Sequence, residues 1–401
     1  MPTDPAARAA ATLPMPEAAA RDHSTRLAAA IHAEITAGDG AIPFSRFMEL
    51  ALYAPGLGYY SAGATKFGDA GDFMTAPEIG PVFAACVAEA VAPVLQQIGP
   101  GALMFELGGG TGAFAQVALM RLLELDALPA RYLILEPSAE LRQRQRARLF
   151  ERLHPMLFEL VEWVDGPIPH DWNGVLFANE VIDALPTPRF AIRGREVMEE
   201  HVAVQDGRFV TQWRPADAML SRAVRHIERR IARALPDGYR SEVLPQLPYW
   251  IQAVAGGMQR GAMLFVDYGY ARSEYYQPER SDGTVRAFYR HRMHDDVFAW
   301  PGLQDITASV DFTALVEAGI GAGFDLAGYC SQASFLLGNG LAGVLSRIDQ
   351  IEDETERLRR TREVKQLTLP DGMGERFQAM GFAKDVEFGA AFLVGDLSHR
   401  L

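Results

Sequence analysis

The segment Phe105-Glu106-Leu107-Gly108-Gly109-Gly110-Thr111-Gly112 is where residue types and spacing most directly suggest chemistry. Glycines let a backbone turn tightly and approach a ligand where a Cβ would clash. The dinucleotide fingerprint has the form G-x-G-x-x-G and seats a pyrophosphate on a helix N-terminus. Here the spacing is G-x-G-x-G over Gly108, Gly110 and Gly112, and Glu106 stands two residues before the first glycine. A carboxylate there repels phosphate and suits a cationic, phosphate-free ligand bearing an ammonium group. S-adenosylmethionine is such a ligand. The competing reading is a strand-to-helix turn that needs glycine only for packing.

Other acids follow the same logic. Glu136 closes Leu133-Ile134-Leu135-Glu136. A carboxylate at a strand end can accept both ribose hydroxyls of a nucleoside, although a helix dipole alone would also favour it there. Asp165, in Asp165-Gly166-Pro167, is expected near the adenine amino group, or else in an ordinary turn. Glu180 and Asp183 lie three residues apart in Asn179-Glu180-Val181-Ile182-Asp183 and would face the same way on a helical turn. A guanidinium offers five donors in a planar fork and keeps its charge, its pKa lying above about 12. An enzyme that modifies it must orient one nitrogen and localise charge on the other two. Glu180 and Asp183 are the catalytic candidates for that task; the alternative is a helix N-cap by Asn179.

Asp72 and Glu78 flank Phe73-Met74-Thr75-Ala76-Pro77 and are expected to shape a lid over the cofactor, with Asp72 among its contacts. Tyr59 and Tyr60 suit walls of that pocket or plain packing. Asp267 and Tyr268, in Asp267-Tyr268-Gly269, end a further strand and face the same crevice as substrate-binding candidates, together with His294. Asp305 and Asp311 would cap a helix or touch substrate. His291 and His294 have a spacing that invites a metal, but no cysteine is near and the surroundings are basic. Hydrogen-bonded loop histidines are the expectation, and no metal is expected.

These residues need elements to hold them. Leu103–Leu107, Tyr132–Leu135, Val175–Ala178 and Met263–Val266 read as strands separated by helical stretches, with Phe158–Val164 as another. That pattern gives an α/β fold with a parallel sheet and helices on both faces. Helices are expected over 25–38, after Ser45 as cap, over Pro81–Gln97, Phe312–Ala318 and about 342–366. Residues 1–24 read as a loose tail, 25–100 as N-terminal helices with a glycine-rich lid loop, 101–188 and 261–401 as the core, and 189–260 as an insertion. Within it, 189–213 reads as a hairpin and 214–260 as largely helical.

The chain has 401 residues, 49% of them apolar, so it can bury a sizeable core. Its net charge is -13, which argues against general nucleic-acid binding and is compatible with a cationic substrate such as an arginine-bearing protein segment. Two cysteines, Cys86 and Cys330, give no zinc pattern and fit a reducing, cytoplasmic setting. No run reaches the roughly 18 consecutive apolar residues of a membrane span, and no targeting peptide is evident. A homodimer is a candidate assembly.

Gly58-Tyr59-Tyr60, the Gly71–Ile79 segment, the Glu106–Gly112 run, Asn179–Pro186, Asp267-Tyr268-Gly269, the stretch Arg286 to Phe312 and Met373-Gly374-Glu375-Arg376-Phe377 together resemble the MidA family of class I S-adenosylmethionine-dependent methyltransferases. Its mitochondrial members are complex I assembly protein-arginine methyltransferases. The resemblance implies a Rossmann-like core with a helical N-terminal lid and a family-specific insertion. It implies S-adenosylmethionine as cofactor, held by Glu106, Gly108, Gly110 and Gly112 at its methionine part and by Glu136 at its ribose. It also implies a protein substrate bearing arginine, with a respiratory complex I subunit as the known target in mitochondria. Those relatives carry Gly-Pro-Gly-Arg-Gly where this chain has Gly108–Gly112. A small-molecule O- or N-methyltransferase and a non-catalytic assembly factor are the alternatives.

Overall fold

The computed structural model describes residues 13–61 and 75–401. Asp72, with the Gly71–Met74 part of its motif, lies outside the described residues. The chain divides into two compact units.

One unit comprises Met74–Val181, Leu247–Gly269 and Phe312–Leu401. Its sheet is centred on Leu103–Leu107, which pairs in parallel with Arg131–Leu135 on one side and Trp172–Asn179 on the other. Val161–Val164 extends the first side and Met258–Tyr270 the second, both in parallel. Parallel strands covered on both faces read as continuous apolar runs, and Met104, Phe105, Val175, Leu176, Phe177, Met263 and Leu264 are accordingly buried. The chain first steps outward through two strands, then returns to the other side of Leu103–Leu107. In an open α/β sheet a ligand crevice lies beyond the carboxyl ends of the strands at such a reversal.

Two further strands extend the sheet. Phe377–Lys384 runs antiparallel to Met258–Tyr270, and Asp325–Ser331 lies antiparallel beyond it. Neither stands out as an apolar run in the sequence. Pro81–Ile98 has the length and composition to cross a membrane, with mean hydropathy 1.4, and 61% of it is buried in the fold. A helix apolar all round belongs in a core. Phe83, Val87 and Val91 pack there with Phe114 and Phe177.

The other unit joins the described part of Met1–Phe73 to Ile182–Gln246 and Tyr270–Asp311. Ala41–Pro43 pairs antiparallel with Glu196–Gln205, so the N-terminal segment shares a sheet with the insertion. That grouping differs from the domain division expected from sequence. Arg189–Arg193, Glu196–Gln205 and Arg208–Pro215 form a three-stranded meander where a hairpin was expected, and Arg240–Glu242 adds to its edge.

Local boundaries also move. The first helix among the described residues begins at Ala18, well inside the expected tail. Ser45 caps nothing: Pro43 precedes the helix Phe44–Tyr53, and no side chain caps it. Phe158 ends a short helix, and its strand starts only at Val161. The 214–260 stretch holds two helices, Ala218–Arg230 and Leu247–Ala255, around the Arg240–Glu242 strand. The charged helix is two, Leu341–Asp349 and Glu354–Thr368, because Asp353 starts a new one by accepting from the Thr355 N–H at 2.9 Å. Arg286–Tyr289 pairs with both Arg292–His294 and Asp305–Thr307, making a small sheet from a stretch that reads as loop.

The core helix Pro81–Ile98 is anchored by a buried acid. Glu363 Oε1 accepts from the Val82 N–H at 2.7 Å, and Oε2 from Arg360 Nη1 at 3.1 Å. A Cβ on Gly80 would stand 2.3 Å from the Glu363 carboxyl carbon. Overpacking costs roughly 1–3 kcal/mol, as does orphaning a buried N–H. Gly80→Ala and Glu363→Ala should each lower unfolding free energy in urea by about that much. The double variant should lose less than the sum, because removing Glu363 also removes the clash.

Candidate active site at the carboxyl edge of the parallel sheet

At the end of Leu103–Leu107 the backbone enters the left-handed region three times in five residues: Gly108 at φ 68°, Gly110 at 53° and Gly112 at 83°. Side chains rarely tolerate that region. The Gly108 N–H donates to the Leu135 carbonyl at 2.9 Å and the Gly112 N–H to that of Gly109 at 2.8 Å. Gly112 then leads into the helix Ala113–Glu124. The underside of the loop is packed: a Cβ at Gly109 would lie 2.8 Å from Ile134 Cγ2. A Cβ at Gly110 would meet nothing within 4 Å among the described residues. At Gly110 the loop is therefore bare backbone clear of the described residues.

Thr111 is tied down from two directions. Its hydroxyl donates to Glu78 Oε1 and accepts from Arg148 Nη1 at 3.0 Å. Glu78, expected to shape a lid, therefore contacts the glycine loop itself.

Glu106 is buried, and the Tyr132 hydroxyl donates to its Oε2 at 2.8 Å. Burial drives its pKa from an ordinary 4.5 up to about 8; the Tyr132 bond pulls it down and the nearby Glu136 charge pushes it further up. From its position in the sequence alone Glu106 is a fixed negative charge; in the folded protein burial makes it an acid that holds a proton near neutrality.

Glu136 is buried at the next strand end. Its Oε1 accepts from the Ser138 N–H at 3.0 Å and its Oε2 from Gln145 Nε2 at 3.3 Å. Gln145, fully buried, also donates to the Gly110 carbonyl at 2.9 Å, and its Oε1 accepts from the Trp163 indole at 2.7 Å. Gln145 carries no signal in the sequence, because nothing distinguishes it from its neighbours in an arginine-rich helix. Asp165 is exposed and forms an ion pair with Arg142 Nη1 at 2.6 Å. Arg142 also donates to the Val164 and Glu136 carbonyls.

Strand register aligns these acids. Leu107, Leu135, Val164 and Ala178 lie side by side, so Glu136 and Asp165 follow one residue beyond that line and Glu180 two. Val266 pairs with Asn179, which sets Asp267 level with Glu180. The Glu180 N–H donates to the Val266 carbonyl at 2.9 Å, and Asn179 Nδ2 to Glu180 Oε1 at 3.1 Å. Glu180 has φ 53°, and residues 180–185 form bends and turns. The expected helical turn through Glu180 and Asp183 is absent, and so is the N-cap. Asp267 is buried and accepts from the Tyr268 N–H at 2.9 Å; the Tyr268 ring meets Phe377 edge-on at 5.4 Å.

Asp183 and His294 belong to the other unit. Asp183 is buried, and its carbonyl accepts from the Ala308 N–H at 2.9 Å. In the same unit the Tyr60 hydroxyl donates to Asp305 at 2.9 Å, and Arg272 Nε meets Asp311 at 3.1 Å. His294 is buried in the Arg292–His294 strand, and neither ring nitrogen has a hydrogen-bond partner among the described residues. The hydrogen-bonded loop histidine expected from sequence is thus corrected. Burial lowers its pKa against the pull of Asp296 and Asp295. Arg290 and His291, at φ 47° and 58°, make the tight turn before that strand. Among the described residues no three His, Cys, Asp or Glu side chains converge as a metal site.

A family profile described as S-adenosyl-L-methionine-dependent methyltransferase matches residues 86–330. A structure from Burkholderia thailandensis solved with S-adenosyl-homocysteine is 42% identical, covers 97% of this chain and 100% of its own, and superposes with TM-score 0.90. The mitochondrial protein arginine methyltransferase of Danio rerio is 28% identical over 84% of this chain and 82% of its own length. A Drosophila melanogaster homologue is 29% identical over 74% and 71%. The chain belongs to this methyltransferase family.

It is a MidA-like enzyme, and its cofactor is S-adenosylmethionine. The residues fit that molecule. A bare, open loop at Gly110, a buried acid at Glu106 and a second at Glu136 suit a nucleoside carrying an ammonium group, whereas a pyrophosphate would face two carboxyl groups.

If Glu106 receives the cofactor's ammonium, its raised pKa makes binding pH-dependent. Below pH 8 the ammonium would then displace the Glu106 proton, so affinity for S-adenosylhomocysteine should rise from pH 6 to 8, by up to about tenfold per unit, then level off. Calorimetry across that range should show proton release in the parent and a flatter profile in Glu106→Gln. The raised folded pKa also means that the native state holds a proton the unfolded chain has lost. Between pH 4.5 and about 8, unfolding free energy should therefore fall as pH rises, and Glu106→Gln should remove that slope.

Proposed function

We propose that this methyltransferase acts on an arginine guanidinium of a protein, with Glu106, the glycine loop, Glu136 and Asp165 on the cofactor side and Glu180 on the substrate side. The observation that carries the substrate side is Glu180. It is a non-glycine residue held in a left-handed conformation at the carboxyl edge of the sheet, level with Asp267. Such a conformation costs about 1–3 kcal/mol and persists where the surroundings impose it. Here the Val266 and Asn179 bonds impose it. A carboxylate so fixed can accept two guanidinium N–H groups and draw positive charge toward them. The names of the Danio and Drosophila relatives support arginine as the target.

S-adenosylmethionine supplies a methyl group activated by its sulfonium. Glu180 orients the nucleophilic nitrogen. Asp267 and Tyr268, in the same unit as Glu180, are proposed substrate contacts. Fixing two reactants in line supplies much of the acceleration in such transfers. By family resemblance the target is a respiratory complex I subunit.

Labelled cofactor, incubated with the protein and a lysate from a strain lacking it, should mark a protein band whose label sits on arginine. Label confined to small molecules would overturn the protein reading. With that substrate, Glu180→Gln should lower kcat by roughly 10²–10³, the loss seen when one preorganised electrostatic partner is removed. Its affinity for S-adenosylhomocysteine should match the parent's.

A further inference from the structure

Gln145 joins three groups at once. Its Nε2 reaches the Gly110 carbonyl at 2.9 Å and Glu136 Oε2 at 3.3 Å, while its Oε1 takes the Trp163 indole N–H at 2.7 Å. An amide has one acceptor oxygen and two donor hydrogens, and an indole N–H can only donate. Trp163 therefore sets the sense of the amide: oxygen toward the indole, NH2 toward the carbonyl and the carboxylate. Reversed, the amide would press its oxygen against two acceptors. The side chain is fully buried, so water has little room to repair a lost bond. The Arg146 guanidinium lies 4.5 Å over the Trp163 ring and steadies it.

The three groups so joined follow or lie on three different strands: Gly110 after Leu103–Leu107, Glu136 after Arg131–Leu135, and Trp163 within Val161–Val164. We propose that Gln145 is a positioning residue that locks the glycine loop to the Glu136 carboxylate, so that both ends of the cofactor are met in one fixed relation, with Trp163 holding the lock in its working sense. The proposal rests on the reading of Glu136 as the ribose acid. A glutamine that merely filled space would be replaceable by an apolar side chain of similar volume with no change in how the ribose is read.

The test is calorimetric titration of the whole protein with S-adenosylhomocysteine and with its 2′-deoxyribose analogue. The parent should prefer the hydroxylated ligand. Gln145→Met and Gln145→Leu should weaken S-adenosylhomocysteine by about tenfold or more, the scale of a hydrogen bond to a charged group. They should leave the deoxy analogue much less affected, so the preference shrinks. Trp163→Phe keeps an aromatic ring and removes the donor; it should shrink the preference in the same direction, and it decides the matter should the Gln145 variants fail to fold. A parent-like preference in the folded Gln145 or Trp163 variants, with the preference lost in Glu136→Gln, would overturn the lock while sparing the ribose acid. A parent-like preference in Glu136→Gln would overturn the ribose reading itself.

Discussion

The site depends on one conformational demand: the chain must take left-handed dihedrals at Gly108, Gly110 and Gly112 where the sheet reverses its direction of growth. Only glycine meets that demand cheaply. The result is backbone without side chains on the outer face of the loop. The cost is a loop with few anchors of its own, and the surrounding residues supply them. Leu135 takes the Gly108 N–H, Gln145 holds the Gly110 carbonyl, and Glu78 with Arg148 brackets Thr111.

Two of those four anchors come from one helix, Ala139–Arg152. Arg142, Gln145 and Arg148 recur at three-residue spacing, which places them on one face. Arg142 ties two strand ends together, Gln145 reaches the loop and the Glu136 carboxylate, and Arg148 clasps Thr111. A helix that looks like a solvated basic surface is thus a bracket behind an acidic site. The positive charge it brings is spent on the protein's own carbonyls, hydroxyls and Asp165.

The parallel strands and the glycine turn were legible because a conformational requirement maps directly onto residue type there: apolar runs for doubly covered strands, glycine for positive φ. Glu106 and Glu136 were legible as positions, since both sit at strand ends. The protonation of Glu106 was not, because it arises from burial beside Tyr132, a residue 26 positions away that folding brings within 2.8 Å. The turn at Glu180 was misread as helix because local spacing says nothing of the Val266 bond that holds its backbone. Asp325–Ser331 and Phe377–Lys384 escaped because they pair with partners distant in sequence and carry glycine or polar residues within the run. His294 was expected to find a partner; its burial in a short strand leaves both nitrogens without one among the described residues.

Ala41 finds its sheet neighbour at Ala203, and the unit they share takes its last segment from Tyr270–Asp311. A ribosome delivering this chain must therefore make the whole Leu103–Leu107 to Trp172–Asn179 stretch before that first short strand has anything to dock on. Closing such a long loop is entropically slow. Through much of its synthesis the Phe44–Tyr53 helix lacks the part of its core supplied by Val202, Val285 and Ile306, a natural client for a chaperone.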